Sequence, residues 1–281
     1  MSIRIRNAAV GAALALPLVL GACSSGGDSA APTGTNTSPA VSAPATDGSD
    51  PFNAPAGTEV DKSALLDQTQ QAMLDKKTYA MNMEMALGGQ TMKVSGVGDI
   101  SDPENLKVKM TMEMPGAGGQ GINMLLIGKT MYMQMPGQAG GKYVQVPMSQ
   151  LQQASGGGQD FEKLLNPAES LKMSKDAITK ATYVGEEDVS GSKLKHFTLL
   201  MDMSKANAAA GVTPDPSATG PQTVPYDVWV DSDKLVRKME LTVAGTKMTS
   251  TLDKYGEPVT IAAPPSDSVT TMPGLSDAPT S

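Results

Sequence analysis

The sequence predicts a β-dominated α+β fold, a long curved antiparallel sheet that forms a half-barrel with helices over its concave face. The first observation is that Met alternates with mostly polar residues in three runs, Met81–Met85, Met110–Met114 and Met131–Met135. Side chains alternate between the two faces of a strand, so each run has one apolar face. The second observation is that short turns rich in Gly, Asp or Asn separate such runs, as in antiparallel hairpins. Long twisted strands with one apolar face must curl.

The predicted domain begins with a helix and continues as a meander of strands. Apolar residues recur at helical spacing in Val60–Lys76, which we expect to cover the sheet. A second helical region is expected in Met148–Asp176, and the Pro-, Gly- and Ala-rich stretch Ser204–Thr223 is expected to be a loop. The predicted strands are Thr78–Leu87, Gln90–Ile100, Leu106–Met114, Asn123–Ile127, Thr130–Met135, Tyr143–Val146, Ile178–Asp188, Lys193–Met203, Tyr226–Asp231, Leu235–Val243, Lys247–Tyr255 and Pro258–Ala262.

The N-terminus carries a targeting signal that is separate from the fold. Arg4 and Arg6 precede an apolar stretch, residues 8–20, that is too short for a membrane-spanning helix. This stretch runs into the tetrapeptide Leu-Gly-Ala-Cys, which ends at Cys23 and resembles the lipobox of bacterial lipoproteins. The resemblance implies that residues 1–22 are a lipoprotein signal peptide and that Cys23 is lipidated.

Composition divides the rest of the chain into three parts. Residues 23–57, which begin with the lipidated Cys23, consist mainly of Ser, Gly, Pro, Thr and Ala and are expected to form a disordered linker. Residues 58–263 are expected to form the half-barrel domain, and residues 264–281 a disordered tail. Two acyl chains on one Cys suffice for stable anchoring. The expected location is therefore the extracytoplasmic face of the cell membrane, and the membrane is itself an expected partner.

Charge and motifs exclude several functional classes. The formal net charge is -7 and no basic cluster occurs, so nucleic acid is not an expected partner. Neither Gly-x-Ser-x-Gly nor His-Glu-x-x-His is present. Ser190–Lys193 fits Ser-x-x-Lys, but it falls in a predicted hairpin turn. Since Cys23 is the only cysteine, no disulfide can form within the chain. We therefore expect a protein that is not an enzyme and needs no cofactor.

The methionine face admits three interpretations, of which the first is an ordinary hydrophobic core. That core would be unusual, because only 3 Phe and 1 Trp accompany 20 Met. The second interpretation is a cavity for flexible hydrocarbon chains, since Met is adaptable and recurs at surfaces that fit variable apolar partners. We prefer this interpretation. The residues expected to line the lipid cavity are Met81, Met83, Met85, Met110, Met112, Met131, Met133, Phe197, Leu199 and Met201.

The third interpretation is a Cu(I) site, because thioethers are soft ligands that select Cu(I). Met residues two positions apart on one strand lie about 6.5 Å from each other, so they could share an ion only with ligands from neighbouring strands. Copper sites of this kind usually include His, and the single histidine, His196, is expected to point into solvent on the face opposite Phe197. No metal site is therefore predicted.

Three C-terminal segments, 226–231, 235–239 and 255–259, resemble the closing strands of the LppX/LprG-type actinobacterial lipoproteins. That family is similar in fold to the LolA-like lipoprotein carriers, so the resemblance implies a U-shaped half-barrel with helices over an apolar cavity. It also implies binding or transfer of lipids or lipoglycans at the cell envelope.

The expected function is therefore that of a membrane-anchored extracytoplasmic lipoprotein that binds or carries a lipid or lipoglycan in a Met-lined cavity. Two alternatives stay open: a Met-rich Cu(I)-binding envelope protein, and a ligand-free structural or interaction lipoprotein.

Overall fold

One mostly antiparallel sheet organises the part of the chain that the structure describes. The computed structural model describes residues 50–87, 89–102, 105–113, 121–137, 139–154, 166–209, 222–243 and 245–271. The predicted signal peptide, Cys23, most of the predicted linker and residues 272–281 lie outside these ranges. So does Met114, the last methionine of the second run.

Thirteen strands of the described ranges form the sheet in the order β1-β8-β9-β10-β11-β12-β2-β3-β4-β5-β6-β7-β13. Every neighbouring pair is antiparallel except β13 and β7, which are parallel, and the sheet does not close. The strands are β1 (Thr58–Glu59), β2 (Thr78–Leu87), β3 (Gln90–Asp99), β4 (Lys107–Glu113), β5 (Ile122–Ile127), β6 (Thr130–Gln134), β7 (Tyr143–Pro147), β8 (Ile178–Val189), β9 (Ser192–Asp202), β10 (Thr223–Val230), β11 (Val236–Val243), β12 (Thr246–Asp253) and β13 (Val269–Thr271).

Four α-helices are described, and side-chain caps define where three of them begin. The Asp61 carboxylate accepts a hydrogen bond from the backbone N–H of Ser63 at 2.8 Å, and Asn166 caps its helix in the same way. None of the described helices is long and apolar enough to cross a bilayer. The helices are α1 (Lys62–Lys76), α2 (Met148–Ala154), α3 (Pro167–Ser174) and α4 (Met203–Ala209), and short 3-10 turns occur at Pro51–Asn53, Ala139–Gly141 and Ser266–Ser268.

The predicted fold class is confirmed, and the structure differs from the prediction at both ends of the domain. The end of the predicted linker belongs to the fold, because Pro51–Asn53 forms a 3-10 turn and Phe52 is buried in the main apolar cluster. Helix α4 starts where a loop was expected, because the Asp202 carboxylate accepts hydrogen bonds from the backbone N–H groups of Ser204 and Lys205 at 2.9 and 3.2 Å. The predicted strand Pro258–Ala262 is wrong, since no regular structure occurs there. The last strand, β13, lies instead within the segment expected to be a loose tail.

Helices α1 and α3 pack on one face of the sheet and form the core with it. Leu65 and Met73 of α1 and Leu171 of α3 belong to the same buried cluster as Phe197 of β9 and Val228 of β10. Lys62 strengthens the attachment, because its ammonium donates a hydrogen bond to the Ile178 carbonyl. The sheet therefore has one helix-facing side and one outer side.

Candidate functional site

The strand register brings the methionines of β2, β4 and β6 onto the helix-facing side of the sheet. Across neighbouring strands, Met83 is paired with Val94, Val94 with Met112, and on the other side Met83 with Ser250. Residues in register on adjacent strands point to the same face. The same reasoning places on this face all ten residues that the sequence proposed as a lining. We call this side of the sheet the methionine face.

Further methionines join this face from strands that contain no Met-x-Met run. Met92, Met124, Met239 and Met248 are all in register with residues of the methionine face. They are not among the predicted lining residues because each stands alone in its strand. Alternation with polar neighbours is the signal that would have found Met92, Met239 and Met248, whereas Met124 is followed by Leu125. The hydroxyl of Tyr226 also donates a hydrogen bond to the sulfur of Met239 at 2.7 Å.

Two glycines of β3 make room on the methionine face for large neighbours. A Cβ at Gly98 would lie 2.3 Å from the ring of Tyr79, and a Cβ at Gly96 would lie 2.6 Å from the carbonyl oxygen of Lys109 and 2.8 Å from Cγ of Met110. Real Cβ atoms essentially never approach so closely. Glycine at these positions therefore lets Tyr79 and Met110 lie across the neighbouring strand.

Of the ten residues proposed as a lining, five are buried and five are half-buried. Phe197 and Leu199 are fully buried, and they are part of the core beneath α1 and α3. Three more are buried, namely Met110, Met131 and Met201. The others are half-buried, and they are Met81, Met83, Met85, Met112 and Met133.

A small apolar gap lies between the helices and the sheet. It has a volume of about 10 Å³, which is close to the smallest space that holds one water molecule. An acyl chain does not fit into this gap as it stands. The gap is lined by Leu65, Leu66, Thr69, Leu171, Phe197, Leu199, Val228, Val230 and Val236.

A larger cleft of about 540 Å³ lies away from the methionine face. Tyr132 of β6 and Gln145 of β7 line it from the outer side of the sheet, and Pro264, Ser266 and Val269 line it from the C-terminal segment. Its lining mixes polar and apolar side chains and is open to solvent. It does not contain the residues that the sequence proposed as a lipid lining.

The outer side of the sheet carries a polar cluster around the single tryptophan. Trp229 Nε1 donates a hydrogen bond to Glu187 at 2.8 Å, and its ring stacks on His196 with centroids 4.4 Å apart. The hydrogen bond from Trp229, supported by His196, holds the pKa of the Glu187 carboxyl below its usual value. The ammonium group of Lys238 lies over the Trp229 ring, 4.3 Å from its centre.

The expectation that His196 points into solvent is wrong. Its side chain is on the predicted face, but only 13% of it is exposed. The two ring nitrogens lie 2.8 and 3.0 Å from carboxylate oxygens of Glu187 and Asp227, an arrangement in which only the doubly protonated ring donates to both. These partners come from neighbouring strands, so the sequence around His196 gave no sign of them.

Hydrolytic chemistry finds no support in the geometry of the described residues. Ser190 and Gly191 form the turn between β8 and β9, so the Ser-x-x-Lys match does not open a helix. Within the described ranges no group of three or more His, Cys, Asp or Glu side chains is arranged to hold a metal ion. The feature that stands out is the methionine face.

The open antiparallel sheet of the described residues is similar in fold to that of a solved lipoprotein. The crystal structure of LprF from Mycobacterium bovis matches with a TM-score of 0.52 at 17% identity, over 72% of this chain and 96% of that chain. The crystal structure of the lipoprotein LppX from Mycobacterium tuberculosis matches with a TM-score of 0.47 at 15% identity, over 72% of this chain and 100% of that chain.

The family model of the LppX_LprAFG lipoproteins matches residues 61–261, well over half of the chain. The chain therefore belongs to the LppX_LprAFG lipoprotein family, and the resemblance found in the sequence is confirmed. No curated protein sequence matches the chain significantly.

Proposed function

We propose that this protein is a membrane-anchored extracytoplasmic lipoprotein that binds the acyl chains of a lipid or lipoglycan against the methionine face. The observation that carries the proposal is the half-buried state of Met81, Met83, Met112 and Met133 on a continuous apolar face. Side chains of a finished core are fully buried, whereas these four keep part of their surface free for a ligand. Membership of a lipoprotein family supports the same conclusion.

Methionine suits this task for physical reasons. Its side chain is unbranched, has three rotatable bonds and carries a polarisable sulfur, so it fills irregular space and adapts to different partners. A row of such side chains can follow the bends of an acyl chain without a fixed shape. Binding of this kind requires no catalytic group, which agrees with the expectation that the protein is not an enzyme.

The energetics of transfer set what the methionine face must supply. Each buried CH₂ group contributes about 0.8 kcal/mol, so an ordinary acyl chain loses on the order of 10 kcal/mol when it leaves a bilayer for water. A partly covered apolar sheet offsets this loss by removing the chain from water again. The protein can therefore hold a lipid that would otherwise return to the membrane.

The ligand site that we propose is the half of the methionine face formed by β2 to β6. The gap under α1 and α3 is too small for an acyl chain, and Phe197 and Leu199 are already fully buried there. Phe197 and Leu199 therefore lie on the part of the methionine face that the helices cover. Met83 and Met112 lie on the part that is half-exposed. Ligand entry from β2 to β6 leaves the packing of α1 on α3 intact.

The membrane anchor that we propose is the acylated Cys23. The linker that begins at Cys23 and ends before the 3-10 turn Pro51–Asn53 then tethers the folded domain, whose sheet extends to β13, close to the lipid surface. Anchoring keeps the methionine face near its source of ligand. No partner protein needs to be assumed for binding itself.

Native mass spectrometry tests the proposal directly. The chain is purified from its own host in mild detergent, and the mass is measured before and after organic extraction. We expect an additional mass that is lost on extraction and that differs from the acyl groups attached to Cys23. A chain that carries only its covalent acyl groups, and that takes up no lipid from vesicles, would contradict the proposal.

A further inference from the structure

Three methionines from three adjacent strands lie side by side near one end of the sheet. Met85 of β2 is in register with Met92 of β3 on one side and with Met248 of β12 on the other. Residues opposed in this way have Cβ atoms about 4.5–5.5 Å apart and share a face. We propose that Met85, Met92 and Met248 form a three-thioether binding site for one Cu(I) ion.

Methionines on adjacent strands lie closer together than methionines of the same strand. Met83 and Met85 lie about 6.5 Å apart along their strand, which is too far for their sulfurs to meet easily at one ion. Met92 and Met248 flank Met85 at a shorter spacing and on the same face. Each sulfur is three bonds from its Cα on a flexible side chain, so the two outer sulfurs can lean toward the central one.

Lack of contact with the core separates this triplet from the other described methionines of the face. Met85, Met92 and Met248 are each half-buried, and in the described part of the chain they belong to neither apolar cluster. An ion can therefore reach their sulfurs without opening the core. Packing in the core does not explain why three methionines lie in register at this place.

A second triplet shows the contrast. Met110 is in register with Met124, and Met124 with Met133, on β4, β5 and β6. Met110 is buried, and the other two pack against the main apolar cluster. An ion there would have to lose its water in apolar surroundings, which is costly for a charged species. We assign this second triplet to the hydrophobic core.

The chemistry of the ligands selects the ion. Thioethers are neutral and soft, and they favour Cu(I) over ions that prefer carboxylate or imidazole. A monovalent ion at a partly exposed position keeps some hydration, which lowers the cost of its charge. Within the described ranges the sheet offers no competing site of clustered His, Cys, Asp or Glu.

The test uses the full chain with Cys23→Ser, which removes its single thiol, purified in detergent. Cu(I) kept reduced by ascorbate is titrated against a chromophoric Cu(I) chelator, and the methionine methyl groups are labelled with ¹³C. We expect one equivalent of Cu(I) to bind and to shift the methyl resonances of Met85, Met92 and Met248. Ag(I), a redox-stable soft cation, should give the same pattern.

Two matched leucine variants decide the outcome. Met85→Leu should weaken binding by at least the roughly 10–100-fold that follows the loss of even an outer partner of a metal ligand. Met81→Leu should leave it unchanged, because Met81 is in register with Gly96 and Leu252 and has no thioether beside it. Absence of Cu(I) binding, or binding that Met85→Leu leaves intact, would overturn the proposal. Lipid retention is measured separately, by native mass spectrometry of the native chain, so the two proposals fail separately.

Discussion

The ring of Tyr79 lies so close over Gly98 of the neighbouring strand that a Cβ there would be 2.3 Å from it. Tyr79 is almost completely buried, and burial raises the pKa of its hydroxyl. The two residues are paired in register on β2 and β3, and they lie at the end of the sheet where α1 leads into β2. The missing side chain of Gly98 is therefore part of how Tyr79 is packed.

Gly98→Ala should destabilise the fold by about 2–3 kcal/mol, because the added methyl overpacks the core against a rigid ring. Urea unfolding followed by circular dichroism measures the change. The matched background is Tyr79→Val, in which the ring is gone. There Gly98→Ala should cost less than about 0.5 kcal/mol or be stabilising, since the removal of glycine also reduces the entropy of the unfolded chain. Equal costs in both backgrounds would show that the ring is not the cause.

The pair formed by Glu187 and Trp229 predicts a difference in acid stability. The pKa of Glu187 is lowered in the folded state, chiefly by the hydrogen bond from Trp229. Stability from this carboxylate is present above its unfolded pKa of about 4.3 and is lost as the pH falls through the lower folded pKa. Glu187→Gln should therefore be less stable than the native chain at pH 7, by under about 1 kcal/mol because the carboxyl is largely exposed.

Urea unfolding at pH 7, 5, 4 and 3 measures this difference, with the fluorescence of the single Trp229 as a local probe. The native chain and Glu187→Gln should converge as the pH falls toward 3. Asp99 and Glu240, whose pKa values are also lowered, titrate in both proteins and cancel in the comparison. A gap that is constant from pH 7 to pH 3 would contradict the assignment.

Local sequence predicts well on which face of the sheet a side chain lies, and poorly which residues of other strands lie beside it. The alternation around Met81, Met83 and Met85 sufficed to place them on one apolar face, because side-chain direction depends only on position along the strand. That Met248 lies beside Met85 depends on β12 pairing with β2, a contact between distant parts of the chain. The same applies to His196, whose face was predicted but whose carboxylate neighbours on β8 and β10 were not. A local pattern does not determine which distant strands pair, or in which register.

Asp231 should be the key residue of the turn between β10 and β11. Its carboxylate accepts hydrogen bonds from the backbone N–H groups of Asp233 and Leu235 at 2.9 and 3.0 Å, and it pairs with Arg237 at 2.6 Å. Asp231→Ala should cost about 2–3 kcal/mol, because hydrogen bonds to a charged group are lost together. Urea unfolding measures this change.

Asp233→Ala provides the control for the same turn. Asp233 is exposed, and its ion pair with Lys76 is 3.7 Å long. Such surface pairs contribute little, so the change should stay within about 0.5 kcal/mol. If both substitutions had the same effect, the carboxylate of Asp231 would have no special role in the turn.

Cys23→Ser should remove the acyl anchor without affecting ligand binding. Serine offers no thiol for the acyl chain, so stable anchoring through two chains is lost. Incorporation of labelled palmitate should fall to background, and the domain should still retain lipid in native mass spectrometry. Continued acylation of the Cys23→Ser chain would contradict the assignment of this residue as the anchor.

Charge on the methionine face should abolish lipid binding, whereas leucine should preserve it. Met83 and Met112 flank Val94 in register, so Met83→Lys with Met112→Lys places two ammonium groups on the proposed acyl-chain site. Desolvation of these charges by a ligand is unfavourable, and uptake of lipid from vesicles should be lost. Met83→Leu with Met112→Leu should retain most of it, because the apolar surface is kept.

Asn82→Lys is the matched control for the added charge. Asn82 is next to Met83 on the same strand, but it is exposed on the outer side of the sheet. The Asn82→Lys chain should bind lipid like the native chain. Circular dichroism should show that this variant, the lysine pair and the leucine pair are all folded. Since Leu keeps the apolar surface and removes the sulfur, loss of lipid uptake in the leucine pair would mean that sulfur itself contacts the ligand. Loss in the lysine pair alone would mean that the apolar surface is what the lipid requires.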